Sequence, residues 1–116
     1  MKFMMLIYSP PEVRADLDAR PSFDAWVSYS ASLREAGVHL GENPLQGLET
    51  ATTVRVRGGE TLISDGPFAE TREMLGGYYL VDLPSHEAAV EWAARVPNAS
   101  YASIEIRPIM ELPDAP

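Results

Sequence analysis

Hydrophobic residues follow two spacings along this chain, and the alternation of these spacings predicts the order of its elements. Continuous or alternating apolar runs predict four strands, over residues 3–8, 38–45, 78–83 and 103–112. Apolar residues at helical spacing predict two main helices, over residues 22–36 and between Ser85 and Pro97. The uninterrupted run at 3–8 is typical of a central strand that is covered on both faces.

Both main helices have an apolar stripe and recognisable ends. In the first helix Ser22 can act as the N-cap, and Gly37 fits the left-handed position after the last turn. Ser85 can cap the second helix, which ends before Pro97. The stripes expected to be buried are Phe23, Trp26, Val27, Ser30 and Leu33 in the first helix, and Ala89, Trp92, Ala93 and Val96 in the second.

The pair Gly58-Gly59 stands between two strand-like segments, residues 52–57 and 60–65. Two glycines supply the positive φ angles of a two-residue turn, so the sequence predicts a β-hairpin. One face of this hairpin is apolar, and the other carries charge near the turn. The predicted register pairs Arg57 with Glu60, Val56 with Thr61, Arg55 with Leu62 and Val54 with Ile63.

Three stretches are less regular. Residues 9–21 are rich in Pro and Asp, and we expect them to form a loop. Gly41 and Pro44 interrupt the second strand, so it should be a short edge strand or carry a bulge. After Gly66-Pro67, residues 69–75 should form about two helical turns that Gly76 closes.

The predicted order is strand, helix, strand, hairpin, strand, helix, strand. It fits an α+β fold of the split βαβ, ferredoxin-like type with an added hairpin, whose antiparallel sheet packs against helices. We expect residues 1–116 to form a single domain. Helices on one face leave the other face of the sheet uncovered, so we expect a homodimer through that face. Glu105 and Arg107 would lie there, either as a buried pair across the dimer or in solvent.

Composition narrows the class of protein. The chain has no Cys, and its apolar start is too short to span a membrane, so we expect a cytoplasmic protein that does not interact with membranes. A net charge of −8 repels phosphate backbones, which argues against direct binding to nucleic acid. His39, Glu42 and His86 are potential metal ligands. A strand would place His39 and Glu42 on opposite faces, however, so we expect neither a metal site nor a cofactor.

The segment Asp65-Gly66-Pro67-Phe68, followed by Glu70 and Arg72, combines a turn tripeptide, an aromatic ring and charges. In one interpretation it is architectural, because Asp initiates turns, Gly permits a positive φ and Pro fixes the next φ. In the other it binds a ligand, with Asp65 as a proton acceptor and Arg72 holding an anionic group. Tyr78 and His39 could add a phenol and an imidazole to that site.

Long segments of this sequence resemble the DGPF group of the YCII-related family, which consists of small bacterial domains of the dimeric α+β barrel superfamily. The segments are KFMMLIY (2–8), LREAGV (33–38), ATTVRVRGGETLISDGPFAETREMLGGYYLVD (51–82), EAAVEWAARVP (87–97) and IEIRPIMEL (104–112). The resemblance implies a ferredoxin-like protomer whose sheet packs against a second copy and encloses a cleft. The group's motif maps onto Asp65, Gly66, Pro67, Phe68, Glu70, Gly76, Gly77 and Tyr78.

Three functions stay open. The leading hypothesis is a homodimeric domain that binds a small molecule at the DGPF segment. The second is a lyase or isomerase that uses Asp65, with His39 or a tyrosine, as acid and base. Some relatives resemble dehalogenating lyases that use a His on the first helix and an Asp before a Pro, but helix 22–36 has no His and Val96 precedes Pro97. The third is an interaction module in transcriptional regulation, since DGPF proteins are often encoded beside extracytoplasmic-function sigma factors.

Overall fold

The computed structural model describes residues 1–15, 20–68 and 72–113. The strands in this part of the chain are β1 (Lys2–Ser9), β2 (His39–Pro44), β3 (Thr52–Arg57), β4 (Glu60–Asp65), β5 (Met74–Asp82) and β6 (Ser103–Pro108). The helices are α1 (Pro11–Ala15), α2 (Phe23–Glu35) and α3 (His86–Ala94), and a short 3-10 helix covers Leu48–Thr50.

The main sheet is antiparallel and has the strand order β2-β5-β1-β6. β1 lies in its interior: Met5 stands opposite Tyr79 of β5 and opposite Ile106 of β6. The hairpin β3–β4 forms a two-stranded sheet of its own. This architecture confirms the predicted α+β, ferredoxin-like protomer with an added hairpin.

The core lies between α2, α3 and one face of the main sheet. Phe3 and Met5 of β1, Val81 of β5 and Leu33 of α2 are fully buried there. Side chains alternate along a strand, so Met4 and Leu6 point to the opposite face, where they are partly exposed. β1 is therefore central as predicted, but the helices of one protomer cover only one of its faces.

Helix α2 begins and ends as predicted, but its buried stripe differs. Ser22 Oγ accepts a hydrogen bond from the Ala25 amide at 3.2 Å, and Gly37 follows the last turn with a φ of 73°. Phe23 and Val27 are exposed, so their predicted burial is wrong. The reason is Tyr29, whose buried ring packs edge-on against other aromatic rings and turns the buried face of the helix away from Phe23.

Helix α3 matches its prediction. Ser85 Oγ accepts a hydrogen bond from the Ala88 amide at 3.1 Å, which satisfies one donor of the first turn. Ala89, Ala93 and Val96 are buried, and the glutamates of the helix are exposed. Tyr29 links the two helices, since its hydroxyl donates a hydrogen bond to the Trp92 carbonyl oxygen at 2.8 Å.

All four predicted pairs of the hairpin are present, and the same register continues to Thr52 opposite Asp65. Gly58 and Gly59 form the turn with φ angles of 57° and 81°, values that glycine adopts without steric cost. Both the predicted hairpin and the predicted positive φ angles of its two glycines are thus confirmed.

Several element boundaries differ from prediction. Met74 and Leu75 begin strand β5 instead of ending a helix, so that part of the helix at 69–75 is wrong, and residues 69–71 lie outside the described residues. Backbone pairing of Met74 with Ser9 of β1 outweighs the local helical spacing. The last strand ends at Pro108, earlier than predicted, and Pro11 begins a short helix within the expected loop.

No helix in the described ranges has both the length and the apolar character needed to cross a membrane.

Candidate functional site

A cavity of about 700 Å³ opens between α2, the ends of β2 and β5, and the segment that follows α3. Its wall mixes aromatic rings with charged and amide groups. The side chains that matter most for its chemistry are Trp26, Ser30, Glu42, Tyr79, Asn98 and Tyr101. A volume of this size and a mixed lining are typical of sites for small organic molecules.

Glu42 is the centre of a polar cluster in this wall. Its Oε2 accepts a hydrogen bond from Ser30 Oγ at 2.9 Å, and its Oε1 accepts one from Arg34 Nη2 at 3.1 Å. His39 Nε2 lies 2.9 Å from the same Oε1. The carboxylate therefore joins α2 to the edge strand β2, and Arg34 balances its charge.

The contact between His39 and Glu42 corrects a prediction, because a regular strand would place these two side chains on opposite faces. His39 stands opposite Val81, whereas Gly41 stands opposite Leu80, the adjacent residue of β5. One extra residue is thus accommodated between His39 and Gly41, and three residues of separation become a same-face spacing. The bulge predicted from Gly41 is confirmed, and its effect on the neighbouring side chains went unrecognised.

Tyr79 places a phenol beside this cluster, since it stands opposite Glu42 in the register of β2 and β5. Burial raises the pKa of Tyr79, a hydrogen bond with Ser30 lowers it, and the negative charge of Glu42 raises it again. The net shift is upward, so the hydroxyl stays protonated at neutral pH. It can therefore donate a hydrogen bond within the cavity wall.

Asn98 supplies the second polar group of interest, at the opposite side of the cavity. It is only 5% exposed; its Nδ2 lies 3.4 Å from Ser9 Oγ, and its Oδ1 has no hydrogen-bond partner among the described residues. Tyr101 lies near it: burial raises the pKa of this phenol, while the charge of Arg20 and a hydrogen bond from the Asn98 side chain lower it. A buried acceptor without a donor costs about 1–3 kcal/mol.

The exposed part of the cavity wall combines apolar side chains with the charged side chains of Arg20 and Arg34. Phe23 and Val27, exposed on α2, line it together with Pro44 of β2 and Met74 of β5. Tyr78 also lines the cavity, and its hydroxyl accepts a hydrogen bond from Asn43 Nδ2 at 2.8 Å. Phe23 and Val27, which were predicted to be buried, thus line the exposed part of the cavity.

The structure places the sequence-predicted site residues in two separate groups. Tyr78 lines the cavity, and His39 reaches it through Glu42. Asp65, Gly66, Pro67, Phe68 and Arg72 do not line it, and Glu70 lies outside the described residues. The assignment of a ligand to the DGPF segment stays a prediction.

The DGPF segment closes the base of the hairpin. The Gly66 amide donates to the Ala51 carbonyl oxygen at 2.8 Å, and the Gly66 carbonyl oxygen accepts from Thr53 Oγ1 at 2.7 Å. Gly66 has a φ of 98°, which favours glycine. Asp65 is exposed, and the Arg55 guanidinium lies 5.2 Å from the centre of the Phe68 ring. These contacts agree with the architectural interpretation of the motif.

Sequence reasoning missed most residues of the cavity. Ser30 and Arg34 are four residues apart on α2, and this spacing could have indicated a polar pair facing one partner. No local pattern indicated Asn98 or Tyr101, because they follow α3 in an irregular segment.

His86, the remaining candidate metal ligand, is exposed in the first turn of α3, and its ring packs edge-on against Phe3. Within the described ranges no three acidic, His or Cys side chains form a metal-binding group.

Residues 1–113 match the YCII-related domain. The chain belongs to the YCII-related family. Membership confirms the family expected from the sequence segments, while the narrower DGPF group stays a prediction. As a YCII-related protein, this chain is expected to keep the family's fold over nearly its whole length.

Two further comparisons place this YCII-related protein among known proteins. An uncharacterized protein of Rhizobium meliloti (strain 1021) is 48% identical over 61 residues, which cover 51% of this chain and 49% of that protein. The chain thus spans about half the length of this relative.

A solved structure of 5-chloro-2-hydroxyhydroquinone dehydrochlorinase from Burkholderia phenoliruptrix AC1100, in complex with 2,5-dihydroxybenzoquinone, superimposes with a TM-score of 0.56 at 15% identity. The similarity covers 95% of this chain and 94% of that one. At this level of identity it shows a common fold.

Proposed function

We propose that this protein is a homodimeric domain that binds a small organic molecule in the cavity between α2 and the β2–β5 end of the sheet. The observation that carries the proposal is the cavity wall, which joins the hydrogen-bonded cluster of Ser30, Glu42 and Arg34 to aromatic surface at Trp26 and Tyr79. A wall of this kind can bind a ring compound by apolar contact and by hydrogen bonds at the same time.

The side chains of the cavity wall define the class of ligand. Trp26, Phe23 and Val27 offer surface for a flat or apolar ring, while Arg34, Glu42 and the Tyr79 phenol offer polar contacts. The charge of Glu42 is already balanced by Arg34, so this cluster does not call for a cation. A neutral or weakly acidic ring compound that carries hydroxyl groups fits both halves of the wall.

The structural relative supports this class of ligand. That structure is a complex with 2,5-dihydroxybenzoquinone, a small ring with hydroxyl groups. That compound is therefore a rational first probe for this cavity, although the two chains are only 15% identical.

Self-association is the second part of the proposal. The open face of the main sheet carries Met4, Leu6 and Leu80, which are partly exposed, and β6 places Glu105 and Arg107 on the same face. A second copy of the chain would cover this apolar surface. The wild-type chain should sediment as a dimer at micromolar concentration, and a monomer would count against this part.

Thermal unfolding with added ligand tests the binding site. The wild-type protein should melt at a higher temperature with 2,5-dihydroxybenzoquinone, hydroquinone or benzoate, because a ligand at 100 times its Kd adds about 2.7 kcal/mol to the free energy of unfolding. Asn98→Leu and Glu42→Gln should reduce the shift. Glu87→Gln, on the exposed face of α3, is the matched control and should keep it. Equal shifts in the control and both cavity variants would place the ligand elsewhere.

A second candidate function is proton transfer, as in a lyase or isomerase. It is favoured by the chain of contacts from His39 to Glu42 to the cavity, which provides a carboxylate at the ligand and an imidazole behind it. Asp65 was the acid or base expected from the sequence, but it lies outside the cavity wall. If turnover of a hydroxylated ring compound is found, Glu42→Gln should abolish it while Asp65→Asn retains it. The reverse result would return the role to Asp65.

The link to a sigma factor stays a prediction, since none of the contacts described above concerns it.

A further inference from the structure

The hairpin β3–β4 has an apolar face that its own protomer leaves bare. Val54 stands directly opposite Ile63, and Val56 stands two residues along the same strand, so the three side chains share one face. Their exposed fractions are 58% for Val54, 60% for Val56 and 68% for Ile63. These three adjacent side chains form an apolar patch that is exposed to water. In addition, an isolated two-stranded hairpin is at best marginally stable.

The other face of the hairpin is different. Arg55 is partly buried there, with the Phe68 ring of the DGPF segment beside its guanidinium, and Arg57 and Glu60 stand opposite each other near the turn. The polar face therefore has contacts with residues of the same protomer. The apolar face stays exposed in the protomer, and only a partner molecule could cover it.

The molecule is more extended and exposes more surface than a compact monomer of its size. The radius of gyration is 16.5 Å, against about 13 Å for a compact domain of 116 residues. The accessible surface is 8095 Å², whereas a compact monomer of 12.7 kDa exposes about 6,200 Å². This excess of roughly 1,900 Å² is comparable to the area that one protomer buries in a large dimer interface.

We propose that the hairpin is a dimerisation arm, whose Val54, Val56 and Ile63 face packs on a second copy of this chain. A second copy fits better than another partner because each copy offers a further apolar surface, the open sheet face with Met4 and Leu6. Twofold symmetry would cover both arms and both sheet faces in a single interface. The inference rests on the self-association part of the proposed function and is independent of ligand binding.

Sedimentation equilibrium of the full chain tests the arm with a matched pair of variants. Ile63→Asp places a charge on the apolar face, and Leu62→Asp places the same charge one residue earlier, on the opposite face beside Arg55. The arm predicts that Ile63→Asp raises the dimer Kd at least about tenfold, while Leu62→Asp changes it by less than about threefold. Far-UV circular dichroism checks that both variants keep the wild-type fold.

Hydrogen exchange of the wild-type chain provides a readout that needs no variant. Amides of β3 and β4 should exchange more slowly above the dimer Kd than below it, because the partner would stabilise the hairpin. A wild-type chain that stays monomeric at every concentration overturns both the arm and the homodimer, but not the cavity. A wild-type dimer that tolerates Ile63→Asp, or whose hairpin amides exchange at a concentration-independent rate, overturns the arm alone.

Discussion

The edge strand β2 and the hairpin β3–β4 follow each other along the chain, yet they differ in what their side chains contact. β2 has an irregular register, but Glu42 and His39 are held by hydrogen bonds to each other and to α2. The hairpin pairs six residues with six without a shift, but most of its side chains are exposed. Regular backbone pairing therefore does not imply burial, and a local irregularity can bring polar groups together at a cavity.

The largest expected difference is in the free energy of unfolding when the same substitution, Val to Ala, is made in a buried strand of the main sheet and in the hairpin. Val81→Ala removes two methyl groups from the core beside Phe3 and should lower the free energy of unfolding by about 2 kcal/mol. Val56→Ala removes the same groups from the hairpin and should cost less than about 0.5 kcal/mol in the monomer. Urea denaturation at low protein concentration measures both. Equal losses would mean that the hairpin is packed within its own protomer.

A smaller effect tests the close approach of β2 to β5. A Cβ on Gly77 would lie 2.9 Å from the Asn43 carbonyl oxygen, so Gly77→Ala should destabilise the protein by about 1 kcal/mol. Gly76→Ala is the control: its Cβ would lie 3.9 Å from the nearest atom, the Ile7 carbonyl oxygen, and it should change stability by less than about 0.5 kcal/mol. Thermal unfolding of both variants decides, and an unaffected Gly77→Ala would show that β2 can move away.

The buried tyrosines are expected to have no effect on stability at neutral pH, and their effect appears only at alkaline pH. Burial raises the pKa of Tyr29 and of Tyr79, so between the ordinary value near 10 and the raised values the folded chain binds more protons than the unfolded chain. The free energy of unfolding should thus be unaffected by these groups below pH 10. Above it, stability should fall by up to about 1.4 kcal/mol per pH unit for each tyrosine. Tyr79→Phe should reduce the slope, whereas a slope identical to that of the wild type would show that Tyr79 does not contribute.

Sequence reasoning succeeded where local chemistry decides the structure. The glycine pair of the hairpin, the Ser22 and Ser85 caps and the glycine after α2 each act within a few residues, and all of them are confirmed. It failed where distant partners decide. Residues 74 and 75 have a helical spacing, but pairing with β1 makes them a strand.

The candidate site was harder to predict for the same reason. Asn98 and Glu42 are 56 positions apart in number, and only the packed fold places them on one cavity. The predicted site was the DGPF segment, because its composition stands out locally. Its observed contacts are with the hairpin, at Ala51, Thr53 and Arg55.

The position of β1 has a consequence for the order of folding. Phe3 pairs with Val81 and with Pro108, so the central strand gains its first neighbour only when β5 is available and its second only when β6 is available. The hairpin, whose strands are joined by two residues, closes locally and needs no such delay. During synthesis the strands of the hairpin can therefore pair before the sheet is complete, and the apolar strands of the early chain should depend on protection from aggregation until β6 has emerged.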